Sequence, residues 1–214
     1  LNTYKGLVAC GGFSYGDVLG AGRGWANKII HNENAYSALS LFFNSKDKFT
    51  LGVCNGCQML SNLKEIIPGS SHWPSFTHNN SNQFEARQVL VKIPKSNSIL
   101  FKGMHESIIP IIVSHGEGKV TVSKSNDLKK ITMAYVDNSG KKTMLYPNNP
   151  NGSVSGATGF CNNDGRINIM MPHPERLMHI NNFSWVPPKW KTSPVSYTHL
   201  RAHETRGNLV CRRR

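Results

Sequence analysis

"LGVCNGCQML", residues 51–60, is a short apolar run that turns through Gly-x-Cys-x-Gly and enters a helical pattern. Taken alone, it permits three chemistries: a Cys-x-x-Cys redox pair, half of a zinc site, or a nucleophile on a tight turn. The glycines separate these readings. In Gly52-Val53-Cys54-Asn55-Gly56 the cysteine lies between a strand and a helix, in the form of a strained nucleophile turn. The residues two before and two after must leave room for that turn, which is what glycine does. The turn lifts the sulfur out of the sheet and sets a helix N-terminus beneath it, which favours the thiolate. It also aims the N–H of Asn55 at a developing oxyanion. A redox pair would leave Gly52, Gly56 and Gln58 without a role. A zinc site needs about four ligands, and no second closely spaced Cys or His pair precedes the C-terminal tail. Cys57 reads as a small buried helix residue, and Cys10 and Cys161 as strand residues packed inside.

Upstream, "KGLVAC" (5–10) and "KFTLGV" (48–53) read as buried strands. Between them lies the Gly-rich "GGFSYGDVLGAGRG" (11–24), then rough helical spacing over 25–45, broken around Asn32–Asn34. A helix over 55–66 follows the turn and ends at Pro68-Gly69. Strand, turn and helix, repeated, predict a parallel sheet covered by helices. Downstream the pattern changes. Strands are predicted at 84–93, within 107–122, at 131–137, 156–162 and 167–173, joined by "DNSG", "NNPNGS" and "NNDG". The predicted fold is α/β: an open, mostly parallel sheet flanked by helices, with added β-hairpins. "GAGRG" (20–24) has the look of a phosphate loop, but a lone Gly-rich run without a well-placed acidic ribose ligand reads better as turn geometry.

A cysteine nucleophile needs a base, and the base an orienting group. "MMPHPER" (170–176) places His173 and Glu175 one proline apart at the carboxyl end of a buried strand, where open α/β sheets bind ligands. "SHGEG" (114–118) offers His115 and Glu117 at the same spacing, so spacing does not choose between the two histidines. The other histidines before the tail (31, 72, 78, 105 and 179) lie in polar stretches and read as surface groups. Gly12 is the candidate for a second backbone oxyanion donor. Met170 and Met171 read as core strand residues.

With "GGFSYGDVLGAG", "LGVCNGCQMLSNL", "SHGEG" and "MMPHPER" together, the chain resembles the class I (triad) glutamine amidotransferases. Within them it is similar to the glutaminase domains of phosphoribosylformylglycinamidine synthases of the long, single-chain form. The resemblance spans about residues 5–190. It implies a flavodoxin-like fold whose first strand and helix would precede Leu1. It also implies a Cys54–His173–Glu175 triad and an oxyanion hole of Gly12 and Asn55. Glutamine would be bound by Gln58, Ser114, His115 and Glu117. No metal ligand is implied within this chain. ATP and Mg²⁺ are expected in a synthetase domain of the same parent chain, to which ammonia would pass for amination of formylglycinamide ribonucleotide. A separate small glutaminase subunit is the alternative arrangement. In isolation the fragment is expected to be weak or inactive.

Composition sets outer bounds. Hydrophobic content of 38% supports a packed core, and no apolar run is long enough to span a bilayer. Five cysteines are odd for a disulfide framework and suit a reducing, cytoplasmic setting. The formal net charge is +13. Residues 194–214 supply +4 of it through five arginines against one glutamate, and the remaining +9 comes from scattered lysines. Without a basic stripe carrying interleaved aromatics, a nucleic-acid-binding module is the weaker reading and a solvated basic surface the stronger. A catalytically idle structural domain is disfavoured by the complete Cys54/His173/Glu175 set. The domain is taken as residues 1–193. The tail 194–214 lacks apolar periodicity and reads as adapter read-through, or else as a disordered basic extension.

Overall fold

The computed structural model describes residues 1, 3–13, 20–122, 128–178 and 182–183. The suspect tail and His179 lie outside them. Strand β1 (Gly6–Ala9) is followed by helices α1 (Arg23–Ile30) and α2 (Glu33–Asn44), strand β2 (Phe49–Val53) and helix α3 (Asn55–Asn62). Then come β3 (Ser75–Thr77), β4 (Glu85–Lys92), β5 (Ile108–His115), β6 (Lys119–Thr121), β7 (Ile131–Val136), β8 (Ala157–Cys161) and β9 (Ile167–Met170). A 3-10 turn over Pro174–Leu177 follows β9.

Seven strands make one sheet in the order β1-β2-β9-β8-β7-β4-β5. Pairing is parallel from β1 through β2 to β9 and antiparallel across the rest. The open α/β sheet is therefore as expected, but it is mixed. Strands β4, β5, β7 and β8 extend the same sheet, because β9 pairs with β2 on one edge and β8 on the other, while β3 and β6 form a separate two-stranded ribbon. The central strands β7, β8 and β9 are buried almost throughout, as strands covered on both faces must be. β4 alternates instead, with Val89 and Val91 turned into the core. Pro110 sits in β5, the last strand of the order, where a missing N–H disturbs the ladder least.

The sheet curls. Beyond β9 the His173 N–H donates to the Ile112 carbonyl at 2.7 Å, so the chain leaving the parallel half pairs with β5 at the far end of the order. Helix α3 packs over β1, β2 and β9, α1 packs on α3, and α2 on α1. None of the described helices is long and apolar enough to cross a membrane.

Several expectations shift in detail. The helix break falls at His31–Asn32, where the Asn32 side chain caps α2 by accepting from the Ala35 N–H at 2.9 Å. Helix α3 stops at Asn62, four residues short of Ile66, because the chain tightens into three-residue turns through Leu63 and Ile66. The short strand β3 was missed. It is a three-residue ribbon partner of β6 whose residues give only one alternation. Cys10 is exposed rather than packed, since β1 ends one residue earlier. Cys161 and Cys57 are buried as expected. His72 is half-buried, and burial pulls its pKa below the ordinary histidine value although the hydrogen-bond contact of its ring with the Cys161 carbonyl at 3.0 Å raises it.

Arg166 ties the helical layer to the sheet. Its guanidinium donates to the carbonyls of Ser45 and Lys48 at 2.7 Å each and to Phe43 at 3.3 Å, closing the C-terminal end of α2. Replacing it strands these acceptors. Arg166→Met is expected to lower the unfolding free energy by about 2–3 kcal/mol in urea titration, with an unchanged denaturant slope.

Candidate active site

The turn at Cys54 is built as the spacing of its glycines demands. Cys54 itself has φ 51° and ψ −112°, a left-handed conformation strained for a residue with a Cβ, and it caps α3. A Cβ at Gly52 would lie 2.8 Å from the Gly56 carbonyl oxygen and 2.7 Å from Leu60. At Gly56 it would lie 2.0 Å from the Ala9 carbonyl oxygen of β1. The first glycine lets α3 start directly over β2, and the second lets α3 press onto β1. Two hydrogen bonds hold the turn: Cys54 N–H to the Met170 carbonyl at 2.9 Å, and Gln58 N–H to the Cys54 carbonyl at 3.0 Å. The N–H groups of the first turn of α3, Asn55 among them, have no acceptor within the helix. Gly56→Ala is expected to leave no soluble, cooperatively unfolding protein, because its clash is with backbone; circular dichroism during urea titration checks this.

The curl of the sheet delivers the histidine. His173 is buried, and its Nδ1 lies 2.6 Å from Glu175 Oε1. Its Nε2 is buried with no hydrogen-bond partner. Gly11 shows how close the imidazole stands to Cys54: a Cβ at Gly11 would lie 2.6 Å from His173 Cε1 and 3.1 Å from Cys54 Cβ. The two side chains thus flank one point at the end of β1. Burial raises the Glu175 pKa, but the hydrogen bond with His173 and the nearby positive charge outweigh it and hold the carboxyl below its ordinary value. Glu175 therefore stays ionised and fixes the imidazole with its free nitrogen away from the carboxylate. Gly12 has φ 141° and open space where a side chain would be.

The rival histidine has no such partner. His115 is buried at the end of β5, and neither ring nitrogen is hydrogen-bonded. Burial first, and then the neighbouring His173, lower its pKa to about 3. The Glu117 carboxylate points elsewhere. It accepts the Ala21 N–H at 2.7 Å and the Gly20 N–H at 3.4 Å, with His78 Nε2 at 3.5 Å. "GAGRG" is thus a turn, as read, and one that cradles an anion: its left-handed residues Gly20, Ala21 and Gly22 turn successive N–H groups towards an internal carboxylate. Gln58 is buried and donates through Nε2 to the Glu117 carbonyl at 2.6 Å. Ser114 presents its carbonyl 3.8 Å from Cys54 Sγ, and its hydroxyl accepts from Arg176 at 3.0 Å. Cys54, His173, Glu175, Gly12, Asn55, Gln58, Ser114, His115 and Glu117 are thus gathered around the β1 and β2 ends, the first turn of α3 and the turn after β5.

Residues 1–204 match the CobB/CobQ-like glutamine amidotransferase domain. The chain belongs to that family. Among solved structures, PurLQS from Thermotoga maritima is similar at 25% identity and TM-score 0.63, with 85% of this chain and 74% of that one covered. A glutamine amidotransferase from Thermotoga maritima is similar at 17% identity and TM-score 0.43, covering 81% of this chain and 57% of that one.

In this amidotransferase domain the sequence reading overlooked Gly11, Arg176 and Asn79. Gly11 was one glycine of a run, and only its contacts distinguish it. Arg176 adjoins Glu175 in "PHPER", a signal that was visible. Asn79 binds the 115–118 turn from outside, donating to the His115 carbonyl and accepting the Gly118 N–H, and nothing in "THNNSN" marks it.

His115 also sets a pH dependence. Its folded pKa is depressed, so between pH 6.5 and about 3 the unfolded chain binds the extra proton and stability falls with falling pH. His115→Phe is expected to hold or raise stability at pH 7, since two unpaired buried nitrogens are removed. It should also make the acid loss shallower, as read by urea titration at successive pH values.

Proposed function

We propose that this domain hydrolyses glutamine to glutamate and ammonia, with Cys54 as nucleophile, His173 as base and Glu175 as its orienting carboxylate. The observation that carries the reading is the buried His173, bonded to Glu175 on one nitrogen, unpartnered on the other, and set against Gly11 beside the strained Cys54. In the first half-reaction the Cys54 thiol proton passes to His173 Nε2. The thiolate adds to the side-chain amide carbon, and the N–H groups of Asn55 and Gly12 receive the oxyanion. Collapse breaks the C–N bond as His173 returns the proton to the departing ammonia, leaving a thioester on Cys54. Water, deprotonated by His173, then attacks the thioester. Glutamate leaves, and the thiol is restored. Gln58, Ser114 and His115 form the wall against which the amino-acid end of glutamine rests.

The destination of the ammonia is read from the sequence motifs, supported by the likeness to PurLQS at 25% identity. In this reading ammonia serves the ATP-dependent conversion of formylglycinamide ribonucleotide to formylglycinamidine ribonucleotide in purine synthesis, in a reducing cytoplasm. ATP and Mg²⁺ act in the synthetase partner.

Ammonia release from glutamine, assayed with the synthetase present, tests the roles. Cys54→Ala and His173→Asn are expected to lower turnover by about 10²–10⁴-fold or more, and Glu175→Gln by less. Cys57→Ala is expected to stay within a few-fold of the parent. Its thiol is held protonated, its pKa raised well above the ordinary value by burial and then by Cys54. Full activity in Cys54→Ala would end the proposal.

A further inference from the structure

We infer that Asn151 is a positioning residue: its buried amide ties the carbonyl of Gly118, in the turn after β5, to the Tyr135 hydroxyl of β7, and so holds that turn over Cys54. The inference rests on the glutaminase reading above, in which the turn forms part of the glutamine-binding wall. It begins from "NNPNGS" (148–153), which reads as an ordinary linking turn. Such turns run over the surface, yet Asn149, Asn151 and Ser153 are all buried. Asn149 folds the segment on itself, accepting the N–H groups of Gly152 and Ser153 at 3.1 and 3.0 Å and donating to the Ser153 carbonyl at 2.8 Å. Asn151 is left to bridge inwards. Its Nδ2 donates to the Gly118 carbonyl at 2.8 Å and to the Tyr135 hydroxyl at 2.9 Å. That hydroxyl is itself fixed from β8, since Thr158 Oγ1 donates to it at 3.0 Å. Ser153 adds a longer contact with the Gly118 carbonyl, at 3.4 Å.

The turn so held faces the thiol. Just before it, the Ser114 carbonyl lies 3.8 Å from Cys54 Sγ; within it, the Glu117 carbonyl accepts from Gln58 of α3 at 2.6 Å. Gly118 lets its neighbours close in, because a Cβ there would collide with the His115 ring and lie 2.8 Å from Asn151 Nδ2. Asn151 therefore joins the middle of the sheet to the turn that carries His115. Losing its amide strands a buried carbonyl and frees the turn from β7, while the Cys54 turn stays intact, held by Met170, Gly52 and Gly56. Glutamine-shaped ligands need the turn in place, whereas a small alkylating agent needs only the thiol.

The test uses the whole chain with the synthetase present, a diazoketone analogue of glutamine and iodoacetamide, with Cys54 adducts located by peptide mass spectrometry. In Asn151→Ala the labelling rate by the analogue is expected to fall about tenfold to a hundredfold, as two hydrogen bonds are lost and the wall is misplaced. Tyr135→Phe, which keeps the ring and removes one bond, should lose about fivefold. Iodoacetamide labelling of Cys54 should stay within about twofold in both. The double variant should be little worse than Asn151→Ala, because the two residues act through one link. An unchanged analogue rate in Asn151→Ala would overturn the inference, as would equal loss with both reagents or full additivity in the double variant. If Asn151→Ala gives no cooperatively folded protein, Tyr135→Phe decides: a loss with the analogue alone supports the link, and an unchanged rate overturns it. If the analogue fails to label Cys54 even in the parent chain, the glutaminase reading falls and takes this inference with it.

Discussion

Cys54 sits at φ 51° between a strand and a helix, and the surrounding structure is arranged to hold it there. Such a conformation costs on the order of 1–3 kcal/mol and persists only where neighbours over-determine it. Here the neighbours are backbone. Gly52 allows the α3 start to lie on β2, Gly56 allows α3 to touch the Ala9 carbonyl, and the Cys54 N–H is fixed to Met170 of β9. The parallel trio β1, β2 and β9 acts as a frame for one side chain. Any side chain at Gly56 separates the helix from the sheet and lets the turn relax.

The second half of the fold supplies what the frame lacks. A parallel sheet places its strand ends together, but the imidazole must also be oriented. The antiparallel strands do this by curling, so that β5 meets the chain just after β9. The same contact buries His173 and sets Ser114 near the sulfur. The turn after β5 then reaches the loop from β1 through Glu117. Sheet curvature, and no single strand, therefore decides whether the thiol, the imidazole and the turn after β5 share one place.

Much of this was legible in the sequence where a local rule governs. Gly-x-Cys-x-Gly announces its turn because the steric demand lies within five residues. His173 and Glu175 announce themselves because two residues suffice for the contact. The choice between His115 and His173 was not legible from spacing, since both carry a glutamate two positions on, and only the family resemblance pointed to His173. It depends on where those carboxylates go, and Glu117 goes to a turn nearly a hundred residues earlier. The proportion of parallel to antiparallel pairing was also hidden, because it is set by which strand β9 accepts on each edge. Gly11 and Asn79 were missed for the same reason: their partners are distant, and their own segments look like ordinary turns.

The central claim is that Cys54 carries the reaction covalently. The direct measurement is an acid quench of the protein turning over glutamine with its synthetase present, followed by peptide mapping of the thioester. The account predicts a glutamyl adduct on Cys54 and none when Cys54 is replaced by alanine. Glutamine hydrolysis with no adduct on Cys54, or with an adduct on Cys57 in its place, would contradict it.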